Sequence, residues 1–215
     1  MTTDIATERV AGQRPTLPDL LFRPFGYVAG AQSLALGLVA ILAAGFLGSL
    51  SRTHFDGVLD MHTGLVARRA FFFGAGLIDW LSLSVVLFLM GKLASRTAFR
   101  AVDLFGTQAL ARWPTIIAAL AALAPPFQRL VAGLAAQLSS AVPAGGFSIP
   151  AGDLAFGGLA GLVAVVCLVW MVWLMYHSYT ICCNIRGGRA VGTFIAGLLL
   201  AEIISKLALG IALRA

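Results

Sequence analysis

Long apolar runs alternate with short polar segments along this chain of 215 residues. A membrane-spanning helix needs about 20 consecutive, mainly apolar residues. Five stretches meet this length, and they predict spans at about 28–50, 71–91, 104–124, 154–176 and 190–213. The pattern therefore predicts an all-α polytopic integral membrane protein with five transmembrane helices.

The segments between the spans predict two amphipathic interfacial helices. At 92–103, three basic residues recur every four positions and would share one helix face: Lys92, Arg96 and Arg100. At 127–142, apolar residues share one face and polar residues the other, as in a helix lying in the membrane surface. Residues 1–27 form a polar N-terminal tail, and 28–213 form a single transmembrane domain.

Individual residues add detail to the predicted third and fourth spans. Pro114 interrupts the third stretch and would free backbone groups that neighbouring helices must satisfy. Asp153 is placed to cap the fourth span. Gly157 and Gly161 follow as a GxxxG pair, which lets another helix approach closely and indicates a homo-oligomer or a membrane-protein partner.

Composition supports the membrane assignment. The chain is 60% hydrophobic and 11% charged, with a mean hydropathy of +0.93, whereas a soluble domain has about 25% charged residues. The net charge is +6, and the basic residues lie mainly at the ends of apolar runs. There they favour membrane lipids over nucleic acid as a partner, and the basic stripe at 92–103 is a lipid or partner contact. More of the basic residues lie on the side of the N-terminus, which predicts a cytoplasmic N-terminus.

Charged residues inside the spans are the main candidates for function. They are Asp79 in the second span, Arg112 in the third, and Glu202 and Lys206 in the fifth. Each costs about 2.5–3.5 kcal/mol at the centre of a membrane helix, so such residues face a protein interior or a wet cavity. We expect an intramembrane polar cluster. Two interpretations stay open: a neutral salt-bridge network that fixes helix register, or a charge relay in a small transporter or channel subunit.

The first loop contains a second candidate site. In an extended chain, His54, Asp56, Asp60 and His62 would share one face, and His and Asp are ordinary metal ligands. One hypothesis is therefore a metal-dependent membrane enzyme that uses this loop. The alternative is a loop that docks on the bundle. No other cofactor and no catalytic residue is expected.

Short motifs in the second half of the chain suggest a family. Arg112-Trp113-Pro114 lies in the third span, Trp170 to Tyr176 ends the fourth, and Asn184 to Gly188 leads into the fifth with Glu202. This arrangement resembles the Ypt-interacting protein family of five-span membrane proteins. The resemblance implies a cytoplasmic N-terminus and, in a eukaryotic chain, binding to small Rab-type GTPases. It supplies no catalytic residues.

The leading interpretation is thus a non-enzymatic membrane-organising or scaffold protein that acts through lipid and protein contacts. A composition rich in Ala, Gly and Arg favours a bacterial member in the inner (cytoplasmic) membrane. The transporter and the metal-dependent enzyme are the alternatives.

Overall fold

A computed structural model describes residues 15–55, 57–65, 67–139 and 149–213. In chain order its helices are α1 (Leu17–Phe22), α2 (Gly30–Ser51), α3 (Arg69–Ala94), α4 (Ala101–Leu110), α5 (Pro114–Ala122), α6 (Pro125–Ser139), α7 (Ala151–Cys183) and α8 (Gly187–Ala212). A 3-10 turn, Pro24–Gly26, follows α1. Strands β1 (Thr53–Phe55) and β2 (Met61–Thr63) form an antiparallel hairpin between α2 and α3.

Four helices are long and apolar enough to cross a membrane: α2, α3, α7 and α8. Their outer faces expose large apolar side chains, for example Val39, Leu89, Val169 and Leu207. Exposed apolar area of this extent is rare in soluble monomers, so it suits contact with lipid. The prediction of an all-α fold is confirmed, and the described residues contain four to five candidate membrane spans.

The third predicted span, 104–124, is two helices and not one. α4 ends at Leu110 and α5 begins at Pro114, and the turn between them is closed by hydrogen bonds between residues three apart. Proline has no N–H, and its ring clashes with the carbonyl of the preceding turn. The α-helical hydrogen-bond ladder therefore stops just before Pro114, which places Arg112 within the break.

α6 changes the direction of the chain sharply. Its axis is bent by 82° from that of residues 101–122. Within the described residues α6 coincides with the helix predicted at 127–142, whereas residues 140–148 lie outside the description. Gly157 of α7 packs against the carbonyl of Pro126 and against Leu130. The GxxxG pair of α7 is thus used for packing within this chain.

An ion pair also joins α6 to α7. Arg129 donates from Nε to both carboxylate oxygens of Asp153, at 3.0 and 2.9 Å, and from Nη2 at 2.7 Å. The prediction that Asp153 caps its helix is wrong, because Pro150 occupies the N-cap position. The carboxylate faces α6 because the bend at the start of α6 brings Arg129 beside it.

The interfacial helix predicted at 92–103 is absent from the described residues. α3 ends at Ala94, and residues 95–100 are non-helical before α4 begins. The Ser95 hydroxyl donates to the carbonyl of Thr97 and accepts the N–H of Thr97. Such local side-chain bonds compete with the helix. Lys92, Arg96 and Arg100 therefore do not share a helix face.

The helices approach closely where glycine or small polar residues meet. A Cβ at Gly37 of α2 would overlap the backbone of Ala109 and Leu110 in α4. Between α4 and α7, the hydroxyls of Thr107 and Ser178 are 2.7 Å apart. These contacts fix α4 between two long helices, and α4 in turn positions Arg112.

The N-terminal segment packs on the bundle. Trp170 of α7 donates from Nε1 to the carbonyl of Leu21 at 3.2 Å, and Phe22 lies against the same indole. Phe25 is buried in the main core. Residues 17–26 thus belong to the folded unit.

Candidate functional site

The hairpin between α2 and α3 reaches into the helix bundle. His54 lies opposite His62 in its register. The chain then turns at Gly57, whose φ of +106° is a conformation that glycine adopts readily. Val58 follows with no exposed surface, inside the main core. Gly57 and Val58, which we call the tip of the hairpin, are therefore enclosed by protein.

Glu202 of α8 holds this tip. Its Oε2 accepts the backbone N–H of Val58 at 2.7 Å and that of Leu59 at 3.0 Å. The position is roughly 15 Å from the end of α8, at 1.5 Å per residue. At membrane depth, irregular backbone is tolerated only where protein or a wet cavity satisfies it. Glu202 supplies the acceptor that two of these backbone groups need.

Lys206 links the same carboxylate to the hairpin. Its Nζ lies 3.2 Å from Oε1 of Glu202 and 3.1 Å from Oδ2 of Asp60. Burial opposes ionisation of Asp60, but the hydrogen bond from Lys206, helped by the charges of His62 and Lys206, brings the pKa of Asp60 below its ordinary value. Three charged side chains thus fasten the hairpin to α8.

Arg112 occupies the break between α4 and α5. It is only 3% exposed, and Asp79 of α3 is fully buried. Both Asp79 and Glu202 attract the guanidinium electrostatically, Asp79 more strongly. The Nε and Nη2 groups of Arg112 are buried without a hydrogen-bond partner among the described residues. Arg112 is therefore held in the break by its burial and by electrostatic attraction to these two carboxylates.

A cavity of about 20 Å³ lies beside Arg112. Its walls include Thr53 and His54 of the hairpin and Thr115 of α5. One water molecule needs roughly 10–15 Å³ of such space. The cavity is therefore not a passage for a solute in this conformation.

The four intramembrane charges fall into two groups. Glu202 and Lys206 contact each other directly and contact the hairpin. Arg112 and Asp79 lie deeper inside the bundle and interact through space. Glu202 belongs to both groups, because it also attracts Arg112. Of the four expected members, the described contacts join only Glu202 and Lys206 directly, and both also contact the hairpin. The full four-residue cluster stays a prediction.

The four candidate metal ligands are less close together. The rings of His54 and His62 are 6.1 Å apart, and His54 packs edge-on against Phe71. Asp60 contacts Lys206. Within the described part of the chain, no three His, Cys, Asp or Glu side chains are grouped to hold a metal. Asp56 lies outside that part, so the four-residue set stays a prediction.

The three basic residues predicted to contact lipid or a partner are all exposed. Lys92 lies over the rings of Phe88 and Phe99, at 5.3 and 5.1 Å from their centroids. Arg100 lies 3.9 Å from a carboxylate oxygen of Asp103. They remain at one end of the bundle, around the α3–α4 connection.

Sequence reasoning missed the contacts that define the site. The backbone N–H groups of Val58 and Leu59 have no signature in the sequence. The loop pattern predicts a metal ion as the partner of Asp60, whereas the structure pairs Asp60 with Lys206. One signal was present. Gly57 lies within an otherwise apolar and acidic loop, and glycine often marks a close approach of backbone to another group. A Cβ there would overlap Oε1 of Glu202.

Comparisons with known proteins do not place the chain in a family. No family model, no curated protein and no solved structure matches it. The resemblance to Ypt-interacting proteins therefore stays a prediction.

Proposed function

We propose that this chain is a non-enzymatic membrane-organising or scaffold protein that acts through lipid and protein contacts, as its resemblance to Ypt-interacting proteins implies. The main observation behind this proposal is that the Glu202 carboxylate binds the hairpin and Lys206. The carboxylate accepts two backbone N–H groups and pairs with Lys206. A relay carboxylate must exchange protons or ions, whereas this one is committed to holding the hairpin.

The proposed topology has five crossings. The third consists of α4 and α5 together, and α6 lies in the membrane interface. The 82° bend before α6 supports this arrangement. The distribution of basic residues supports a cytoplasmic N-terminus, and the composition supports a bacterial inner membrane.

Contacts with lipid or partner form at the exposed basic end of the bundle. Lys92, Arg96 and Arg100 lie there, and anionic headgroups or an acidic partner surface complement them. A second copy of the chain can pack on the outer helix faces. A small GTPase is a partner only for a eukaryotic chain.

Affinity purification from the native membrane tests the scaffold. We expect a stoichiometric protein partner that is retained by the parent chain and lost when Lys92, Arg96 and Arg100 are all changed to Gln. Arg52 and Arg69, both exposed and near the hairpin, provide a control for loss of surface charge when both are changed to Gln. A protein that purifies alone with a bound solute would contradict the scaffold and favour transport.

Flux measurements test the transporter. Glu202→Gln in proteoliposomes should lower stability without abolishing any flux seen with the parent chain. Loss of flux from a fully stable Glu202→Gln protein would establish the relay instead.

A further inference from the structure

A furrow runs between α3 and α8 on the outside of the bundle. The part of the furrow at the start of α3, which we call its upper part, is a cavity of about 570 Å³. Arg68 lies at its outer end, and Phe71, Gly74 and Ile78 line it along α3. A second cavity of about 330 Å³ shares Ile78 and continues toward the middle of both helices. The furrow thus carries one cationic end and a long apolar wall.

We propose that this furrow binds one anionic phospholipid from the leaflet on the hairpin side, with its phosphate on Arg68 and one acyl chain along Phe71, Gly74 and Ile78. This inference deepens the proposed scaffold function by naming one lipid contact. It depends on the proposed function only in assuming that α3 and α8 lie in a membrane.

The dimensions of the furrow match one leaflet. Arg68 and Ile78 are separated by roughly 15 Å along α3, at 1.5 Å per residue. The hydrocarbon core of a bilayer is about 30 Å thick, so one leaflet contributes half of that. A headgroup at Arg68 therefore places its acyl chain along the whole upper cavity.

The charge at the top of the furrow is available to a ligand. Arg68 is exposed, and no acidic side chain in the described ranges forms an ion pair with it. A basic side chain at the membrane surface attracts anionic headgroups. The charge complementarity selects an anionic phospholipid over a neutral one.

Gly74 makes the apolar wall testable. A Cβ atom added there meets no described atom within 4 Å. Gly74 also lines the furrow, so a side chain introduced at this position extends into it. Gly158 on α7 is equally open and lies away from the furrow. Leucine at each position gives a matched pair of variants.

Native mass spectrometry of the purified full chain tests the proposal, with phosphatidylglycerol and phosphatidylcholine of identical acyl chains as probes. We expect the parent to retain several-fold more phosphatidylglycerol. Arg68→Gln should lower the excess of phosphatidylglycerol over phosphatidylcholine, while Arg69→Gln should not. Gly74→Leu should reduce retention of both lipids, and Gly158→Leu should reduce neither. Equal retention of the two lipids by the parent, or equal effects within either matched pair, would overturn the proposal.

A second measurement uses only the unmodified protein, so its result does not depend on whether the variants fold. Phosphatidylglycerol with a photoreactive acyl chain should label peptides of α3 and α8 that border the furrow in the unmodified protein. Labelling confined to other helices would also overturn the proposal. Failure of the lipid site leaves the partner purified through Lys92, Arg96 and Arg100 unaffected, so the two proposals fail independently.

Discussion

Removing the carboxylate of Glu202 should release the hairpin from the bundle. Glu202→Ala deletes the acceptor for the N–H groups of Val58 and Leu59. Val58 has no exposed surface, so its N–H cannot turn to water or lipid headgroups. A buried donor left unsatisfied costs about 1–3 kcal/mol, and two of them cost about 2–6 kcal/mol. The partly exposed pair with Lys206 adds less than about 1 kcal/mol.

Glu202→Gln should have a smaller effect. The amide oxygen still accepts the two N–H groups, but it carries no charge. Hydrogen bonds to charged groups contribute about 1.5–3 kcal/mol and neutral ones about 0.5–1.5 kcal/mol. The difference is about 1–1.5 kcal/mol per bond, so we expect a loss of about 2–3 kcal/mol for the two bonds. Ser205→Ala is the control on the same helix, because among the described residues the Ser205 hydroxyl donates to the backbone carbonyl of Glu202 and not to the hairpin.

Hydrogen exchange in lipid nanodiscs measures this effect directly. A loss of 1.4 kcal/mol in local stability speeds amide exchange about tenfold. The amides of Val58 and Leu59 should therefore exchange at least tenfold faster in Glu202→Ala, with an intermediate rate in Glu202→Gln and little change in Ser205→Ala. Unchanged exchange of these two amides in Glu202→Ala would refute the role of Glu202 in holding the hairpin.

Three further predictions concern the hairpin and the helix packing. Gly57→Ala should destabilise the protein by about 1–3 kcal/mol in reversible unfolding, because its φ is positive and its Cβ would overlap Glu202; Gly64→Ala, with positive φ but open space, should cost less. Asp60 has a lowered pKa, so its contribution to stability is present above its ordinary pKa of 3.8 and is lost as the pH falls through the folded value. The protection of the hairpin amides, taken relative to the intrinsic exchange rate at each pH, should fall in that range in the parent, and Asp60→Asn should remove this fall. Gly37→Ala should destabilise by about 1–3 kcal/mol through overlap with α4, whereas Gly192→Ala, which meets open space, should leave the melting temperature nearly unchanged.

The sequence by itself determined the class of protein and most of the long helices. In lipid, a run of about 20 apolar residues must form a helix, because only a helix satisfies all its backbone hydrogen bonds within the segment. This requirement does not depend on which helices pack beside it. The predicted spans 28–50, 71–91 and 190–213 fall close to α2, α3 and α8 for that reason. Even the break in the third span had a local signal, because Pro114 cannot continue a helix.

Only the tertiary structure determined which groups the charged side chains contact. Spacing along the chain places Glu202 and Lys206 on one helix face, but it cannot show that a loop far away in sequence turns inward to meet them. Glu202 bonds to Val58 and Leu59 because the hairpin tip is buried and its N–H groups need an acceptor. The helix predicted at 92–103 does not form, because the Ser95 side chain hydrogen-bonds to the backbone of Thr97 and closes a local turn. The local pattern thus determines which segments are candidate membrane spans. The need to satisfy buried polar groups determines how these helices and the hairpin are joined.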